Sequence, residues 1–209
     1  MIRLVLTLCI AMLAGFAQAE PLRMAVAANF QDTFEALVAQ YTKQSSERIE
    51  ASYGATGMLY TQISNGAPFA ALFAADAERT ERLVAEGRGK AASRFVYAIG
   101  RLALWTPGAA SPPPTEWLAD PQHRVAIANP QLAPYGLAAQ QTLVSMQLWD
   151  QIQPRVITGE SVAQAMQFIE TGAVPGGFVA LSQLTARYKG RPPSAEVWIV
   201  PLNMHSPIV

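Results

Sequence analysis

The sequence has very little of what a catalytic or metal centre needs. It contains one cysteine and two histidines. The cysteine, Cys9, lies within a predicted signal peptide, so we expect the remaining chain to hold no disulfide, thiolate metal site or cysteine nucleophile. The histidines, His123 and His205, are far apart, and neither has metal-ligand spacing to another histidine or carboxylate. We expect both at the surface, with no catalytic residue and no cation held by side chains.

An excess of charge of either sign is also missing. The chain has 15 basic and 15 acidic side chains, for a formal net charge of zero, and no basic stripe. Nucleic acid and anionic membranes are therefore not expected partners. Neither a G-x-S-x-G elbow nor a Walker-type glycine loop occurs. Asp76 and Glu78 stand together before a helix pattern, where capping explains them better than acid catalysis.

The only long apolar run lies at the N-terminus and predicts export. Arg3 gives a positive start, Leu4 to Phe16 is apolar, and residues 17–19 form a small-x-small cleavage site. We expect residues 1–19 to be a signal peptide, cleaved after Ala19. Residues 6–9 are similar to a lipoprotein box, but almost no hydrophobic region precedes them, so lipidation is the weaker alternative. The mature chain of about 190 residues is long enough for one large domain or two modest lobes.

Strand patterns alternate with helix patterns along this chain, which predicts parallel βαβ units. Strands are predicted at 22–28, 49–53, 69–74, 95–105, 125–128, 155–157, 177–181 and 197–200, and helices at 30–41, 58–64, 77–86, 136–149, 162–170 and 182–188. Two such sets, joined by the long strand at 95–105, imply an α/β protein of two lobes. Each lobe is expected to have a mainly parallel sheet flanked by helices. A cleft between the lobes would be lined by the loops at the carboxyl ends of the strands.

Four strand-to-helix junctions carry small polar residues, and they are the most informative feature of the chain. They lie at residues 27–30, 54–57, 129–136 and 158–162. A helix that begins there presents free backbone N–H groups and the positive end of its dipole, which together favour an anion. One such junction is ordinary, whereas four at equivalent positions indicate a cage of neutral donors around an oxyanion.

Each candidate residue in these junctions also has a plain structural interpretation. Asn29 could be an N-cap, and the Thr56 hydroxyl could either cap a helix or donate to a ligand. Tyr135 could be half-buried packing or could point its hydroxyl into the cleft. At the fourth junction the backbone N–H of Val162 matters more than its side chain. Gly57 would let the backbone approach a bound group closely.

The same junctions indicate the type of anion. They contain hydroxyls, amides and backbone donors, with no arginine or lysine, and Glu160 is their only carboxylate. A proton-free tetrahedral dianion needs hydrogen-bond donors alone, whereas a protonated phosphate also needs a buried acceptor for its hydrogen. A proton-free dianion bound in such a site would leave that acceptor unpaired, which costs about 1–3 kcal/mol of binding free energy. Sulfate, molybdate and tungstate fit this description better than phosphate does.

Several longer motifs resemble those of the periplasmic molybdate-binding proteins of bacterial ABC importers (the ModA type). The resemblance runs from about residue 22 to the end, and its motifs are specific in combination: AVAANF at 25–30, SYGATGMLYTQISNGAPF at 52–69, AADAERTERL at 74–83, AIANPQLAPYG at 126–136 and GFVALSQL at 177–184. It implies a type II periplasmic binding protein whose lobes, 20–98 plus 199–209 and 99–198, close on one molybdate or tungstate. It also implies a periplasmic location, a membrane permease as partner, no cofactor and a monomeric state.

The resemblance assigns ligand roles to residues that the junctions had already indicated. It implies molybdate binding by Asn29, Thr56, Tyr135 and Val162, with supporting backbone from Ala28, Gly57 and Ser161. Where some members have a tyrosine ligand, this chain has Ala180, and the resemblance implies that Tyr135 takes over that role.

Two departures from the family pattern carry expectations of their own. Ala70 stands where members usually have an aspartate, a position that we interpret as structural. Similar proteins continue with helices beyond the position of Val209, so we expect the C-terminal part of the first lobe to be incomplete. A sulfate receptor of the same fold, and a truncated relic or interaction module that binds no anion, are the alternatives.

Overall fold

Two separate β-sheets form the framework of the protein. The structure, a computed structural model, describes residues 20–109 and 113–209. The predicted signal peptide at 1–19 lies outside these residues, as do residues 110–112 of the proline-rich stretch. Among the described residues, no helix is both long enough and apolar enough to span a bilayer.

The first sheet has three parallel strands in the order β2-β1-β3. Its strands are β1 (Leu22–Ala27), β2 (Ile49–Gly54) and β3 (Ala71–Phe73), and its helices are α1 (Gln31–Tyr41), α2 (Thr56–Ser64) and α3 (Ala77–Ala85). Val26 at the centre pairs with Tyr53 on one side and Phe73 on the other. The carboxyl ends of all three strands therefore meet at one edge of the sheet.

The second sheet has five strands in the order β6-β5-β7-β4-β8. Its strands are β4 (Leu102–Trp105), β5 (Val125–Ala128), β6 (Val156–Gly159), β7 (Gly176–Ala180) and β8 (Val197–Ile199), and its helices are α4 (Pro114–Ala119), α5 (Pro134–Ser145), α6 (Trp149–Ile152), α7 (Val162–Glu170) and α8 (Leu181–Arg187). Strands β5, β6 and β7 run parallel, and β4 is antiparallel to β7 and β8. Short 3₁₀ turns lie at Ala28–Phe30, Ala91–Ser93, Gln153–Arg155 and Leu202–Met204. The predicted α/β class with two mainly parallel sheets is confirmed.

The core of the second sheet follows directly from the sequence. Every residue of β4, β5 and β7 is buried, as expected for apolar strands covered by helices on both faces. Both α5 and α7 contact β5. A side chain at Gly177 would overlap the carbonyl oxygen of Ala126, so the close pairing of β7 with β5 requires glycine there.

The predicted strand at 95–105 is wrong in its first half. Only Leu102–Trp105 forms a strand, and within the described chain the residues before it pair with no sheet. Instead, the Tyr97 hydroxyl donates to the carbonyl oxygen of Ala74 at 2.6 Å, and its ring packs 4.8 Å from that of Phe30. An alternating apolar pattern cannot show whether a neighbouring strand is available to pair with.

Two boundaries also differ from those predicted. The helix expected at 136–149 is divided into α5 and α6, because Gln147 adopts a left-handed backbone with φ of 59° that ends α5. Residues 199–206, assigned to the first lobe, contact the second. There, Ile199 pairs with Ala103, and the Ser206 N–H donates to Gln141 Oε1 at 2.8 Å. The β8 pairing continues along the β4 edge, which holds this segment on the second lobe.

The two lobes touch each other along the carboxyl ends of their parallel strands. One cluster of buried residues is continuous across the gap: Ala28, Ala55 and Ala75 from the first lobe pack with Tyr135 and Val162 from the second. The turn at 28–30 contacts both α7 and α8. The four predicted junctions therefore converge on this interface.

Candidate functional site

Asn29 lies in the 3₁₀ turn between β1 and α1, where it faces the second lobe. The prediction that it is a helix N-cap is wrong, because α1 is capped by Phe30 without a side-chain bond. The Asn29 carbonyl oxygen accepts the Ser182 hydroxyl at 2.7 Å, and Asn29 lines the same cavity as Tyr135. Asn29 is therefore held from the second lobe.

Thr56 is the first residue of α2, and its side chain is fully buried. Ala55 occupies the cap position, so the Thr56 hydroxyl does not cap the helix. Instead, Oγ1 accepts the backbone N–H of Ala75 at 3.1 Å. Since this bond occupies an acceptor site of the oxygen, the hydroxyl proton remains free to donate elsewhere.

Tyr135, in the first turn of α5, is 3% exposed. Burial raises the pKa of its hydroxyl, and the nearby Tyr97 adds to this, while donation from the main chain of Arg101 and the side chain of Asn29 acts in the opposite direction. The hydroxyl therefore stays protonated at any physiological pH. Its proton is therefore available to donate, as at Thr56.

Val162 is the first residue of α7, and its side chain is buried. The N-cap is Ser161, whose hydroxyl accepts the N–H of Gln164 at 3.3 Å. The Val162 N–H is one of the helix-start amides that have no acceptor within the helix. Such amides carry the positive end of the helix dipole. Because α7 contacts the turn at Ala28–Phe30, this end of the helix lies at the interface.

The predicted supporting backbone at Gly57 has a partner in the other lobe. Its N–H donates to the carbonyl oxygen of Leu132 at 2.8 Å. The close approach predicted from the glycine is thus made by a carbonyl group of the loop between β5 and α5. Ala28, also in the first lobe, is buried in the same interface.

Metal-ligating groups do not gather at this interface. Among the described residues, no set of three or more histidine, cysteine, aspartate or glutamate side chains is placed to hold a metal ion. The ring of His123 stacks 4.5 Å from that of Trp117. The prediction that His205 lies at the surface is wrong, since it is only 8% exposed, next to the 3₁₀ turn that packs against α5.

A cavity of about 380 Å³ adjoins the interface on the side of the segment that connects the lobes. Asn29 and Tyr135 line it, together with Ala75, whose N–H is bonded to Thr56. Thr56 and Val162 do not line it and are buried between the lobes. The structure therefore brings the four predicted residues to one interface but divides them between its buried part and the cavity wall.

Sequence patterns did not indicate three residues that hold this interface together. Ala75 orients the Thr56 hydroxyl, Ser182 binds the Asn29 carbonyl group, and Arg79 reaches across to the second lobe. Of the three, only Arg79 could have been found from a local sequence signal. Asp76 caps α3 by accepting the N–H of Arg79, and the two residues have the spacing of an N-cap and its third helical residue.

Comparison with known proteins gives consistent results. The sequence profile of the bacterial extracellular solute-binding proteins matches residues 22–209. The chain is 41% identical over 209 residues to the molybdate-binding protein ModA of Azotobacter vinelandii, covering 99% of this chain and 82% of that protein. It is 37% identical to ModA of Rhodobacter capsulatus, covering 88% of this chain and 71% of the relative.

Solved structures confirm the predicted two-lobed fold. The periplasmic molybdate-binding protein of Azotobacter vinelandii superimposes with a TM-score of 0.82 at 40% identity, covering 90% of this chain and 82% of that one. The sulfate-binding protein SubI of Mycobacterium tuberculosis superimposes with a TM-score of 0.66 at 13% identity, which shows a shared fold alone. The chain therefore belongs to the bacterial extracellular solute-binding proteins and, among them, to the ModA type.

Proposed function

We propose that this protein captures molybdate or tungstate in the cleft between its lobes and delivers it to the membrane permease of an ABC importer. The observation that carries the proposal is a pair of buried hydroxyl groups, one from each lobe, that each keep a proton to donate. The Thr56 hydroxyl accepts the N–H of Ala75 at 3.1 Å, and the Tyr135 hydroxyl, whose pKa is raised by burial, is protonated and lines the cavity beside Asn29. Both hydroxyls are thus left as donors. The kinship with ModA proteins of two species agrees with this ligand.

The proposed ligand set is Asn29, Thr56, Tyr135 and the N–H of Val162, supported by the main chain of Ala28 and Ser161. The N–H of Gly57, which was predicted to support the anion as well, donates instead to Leu132 in the other lobe. All of these groups are neutral, and the described residues around them gather no carboxylate cluster. A dianion that carries no proton is stabilised by such donors and by the helix starts without a buried counter-charge. A protonated anion would present a hydrogen that finds no ionised acceptor.

Closure of the lobes around the anion is the step that the permease recognises. Hydrogen bonds already join the lobes on both sides of the interface, at Gly57 with Leu132 and at Asn29 with Ser182. A hinge motion that forms these bonds would convert occupancy of the site into a change of shape. The protein acts as a monomer that is exported to the periplasm and loses residues 1–19, and we assign it no catalytic role.

Thermal unfolding of the mature chain with different anions tests the proposal. At a ligand concentration of about 100 times Kd, binding stabilises the folded state by about 2.7 kcal/mol. For a protein of this size, that corresponds to a rise in Tm of about 5–11 °C. Molybdate and tungstate are expected to give this rise at micromolar concentration, whereas sulfate and phosphate are not.

The outcomes separate the alternatives. Equal shifts with sulfate and molybdate would contradict the proposed ligand and favour a general receptor for tetrahedral dianions. No shift with any of the four anions would favour a protein that binds no oxyanion. Isothermal titration then gives the stoichiometry, for which we expect one anion per chain.

A further inference from the structure

One side of the interface carries a pair of bonds that lie outside the proposed anion site. The N–H of Gly57, in the first turn of α2, donates to the carbonyl oxygen of Leu132 at 2.8 Å. Nearby, Arg79 Nη2 donates to the carbonyl oxygen of Gln131 at 2.9 Å. Both donors belong to the first lobe and both acceptors to the loop at 129–133 of the second. We call these two bonds the latch.

Arg79 is fixed in the orientation that this contact needs. Asp76 accepts the backbone N–H of Arg79 at 2.9 Å through Oδ1, and its Oδ2 accepts from Arg79 Nη1 at 2.6 Å. One carboxylate therefore caps α3 and also holds the guanidinium group. The side chain of Arg79 is 22% exposed, and its bond to Gln131 lies at the exposed edge of the interface.

The accepting loop is equally well fixed. Asn129 Oδ1 accepts the N–H of Gln131 at 2.9 Å, and the Asn129 carbonyl oxygen accepts from Leu132 and Ala133 at 3.1 and 2.8 Å. The Asn129 N–H in turn donates to Gly159 at 2.7 Å. The two carbonyl groups of the latch are thus presented by a turn whose own hydrogen bonds are already made.

Glycine at position 57 is required by this contact rather than by the helix. A Cβ there would lie 2.8 Å from the Leu132 carbonyl oxygen and 3.1 Å from Arg79 Nε. The backbone of Gly57 is helical, a conformation that alanine adopts more readily than glycine does. The shortest contact therefore comes from the backbone of the second lobe and applies only when the lobes are together, whereas the Arg79 contacts come from a flexible side chain of the first lobe.

We propose that Arg79 and Gly57 are positioning residues that form a latch between the lobes and retain the bound anion by holding the cleft closed. The proposal rests on the oxyanion-binding function above and adds residues that touch no ligand. A contact present only in the closed form shifts the equilibrium toward that form. Because the ligand leaves when the lobes open, the latch acts mainly on the rate of release.

Replacement of Arg79 tests the first half of the latch. We expect Arg79→Met to release molybdate about tenfold faster in stopped flow, which corresponds to about 1.4 kcal/mol. The matched control is Arg82→Met, on the same helix, since Arg82 lies over the Tyr60 ring of its own lobe at 4.8 Å. Equal release rates in the two variants would overturn the role of Arg79.

Replacement of Gly57 tests the second half. Gly57→Ala is expected to weaken molybdate binding at least tenfold while leaving the Tm of the ligand-free protein unchanged or higher. The control is Gly54→Ala in the same lobe, where a Cβ would meet only the Leu59 side chain at an ordinary 3.7 Å. Wild-type affinity in Gly57→Ala would show that the lobes do not approach as described.

A distance measurement separates failure of the latch from failure of the proposed function. Cys9 is the only cysteine and lies in the predicted signal peptide, so cysteines introduced at the exposed positions Gln62 in α2 and Ser145 in α5 are unique sites for spin labels in the mature chain. We expect Arg79→Met and Gly57→Ala to lower the fraction of molecules in which the two labels are close together, that is, in which the lobes are closed, with or without molybdate. If wild type binds no anion, this fraction still tests the latch. If the closed fraction in these two variants equals that in the controls Arg82→Met and Gly54→Ala, the latch is overturned.

Discussion

The Thr56→Val substitution gives the most direct test of the site, because it removes the hydroxyl and keeps the shape of the side chain. Two separate losses are expected. The ligand loses a hydrogen bond to a charged group, worth about 1.5–3 kcal/mol, so Kd for molybdate should rise roughly 10- to 150-fold. The protein loses the acceptor of the Ala75 N–H, and an unpaired buried amide costs about 1–3 kcal/mol of folding free energy.

Titration calorimetry measures the first loss and thermal unfolding without ligand measures the second. For a chain of this size, the second loss corresponds to a fall in Tm of about 2–12 °C. Both losses come from one oxygen atom, so Thr56→Val should show them together. The variant should remain folded at 25 °C, which circular dichroism checks.

Thr56→Ser provides the matched control, because it keeps the oxygen and removes only a methyl group. Its Kd should stay within about threefold of wild type, and its stability should fall by about 1 kcal/mol from the lost apolar contact. A wild-type Kd in Thr56→Val would refute the reasoning, since the hydroxyl would then not touch the ligand. If Thr56→Ser binds as weakly as Thr56→Val, packing of the methyl group explains the effect instead.

Two further predictions concern the other proposed side-chain ligands, Asn29 and Tyr135. Asn29→Ala should weaken molybdate binding by about 1–3 kcal/mol, as measured by calorimetry. Asn29→Asp should weaken binding more, because a carboxylate repels the dianion. A smaller loss of affinity in Asn29→Asp than in Asn29→Ala would contradict donation by the amide. Burial raises the pKa of Tyr135 above the usual 10.0, so the unfolded chain ionises first. Unfolding free energy should therefore fall above pH 10 by up to about 1.4 kcal/mol per pH unit. Denaturant titrations at rising pH should show a smaller slope for Tyr135→Phe, and an unchanged slope would contradict the burial of an ionisable hydroxyl.

The strand and helix patterns could be predicted where one local signal was enough. The strand at Val125–Ala128 and the helix at Val162–Glu170 have the predicted bounds, because apolar residues stop abruptly at polar ones on both sides. At residues 95–101 the same apolar signal failed, since a strand also needs a partner that is distant in sequence. The pattern within a single segment does not show whether such a partner strand is available.

The site could be predicted by position but not by its contacts. Asn29 and Thr56 stand at junctions where capping explains a polar residue, yet neither side chain caps a helix. Their partners are distant in sequence: Ala75 is 19 residues from Thr56, and Ser182 is 153 residues from Asn29. Local propensity describes a residue together with its neighbours, and it carries no information about such pairs.

Neutral donors can be selective for a dianion only if their direction is fixed before the ligand arrives. A free hydroxyl rotates and offers either a proton or a lone pair, so it would accept a protonated anion as readily as an unprotonated one. The Ala75 N–H occupies one lone pair of the Thr56 oxygen and so favours donation of the Thr56 proton toward the ligand. The N–H behind the Thr56 hydroxyl therefore favours a proton-free oxyanion, and this effect requires no charged residue at the site.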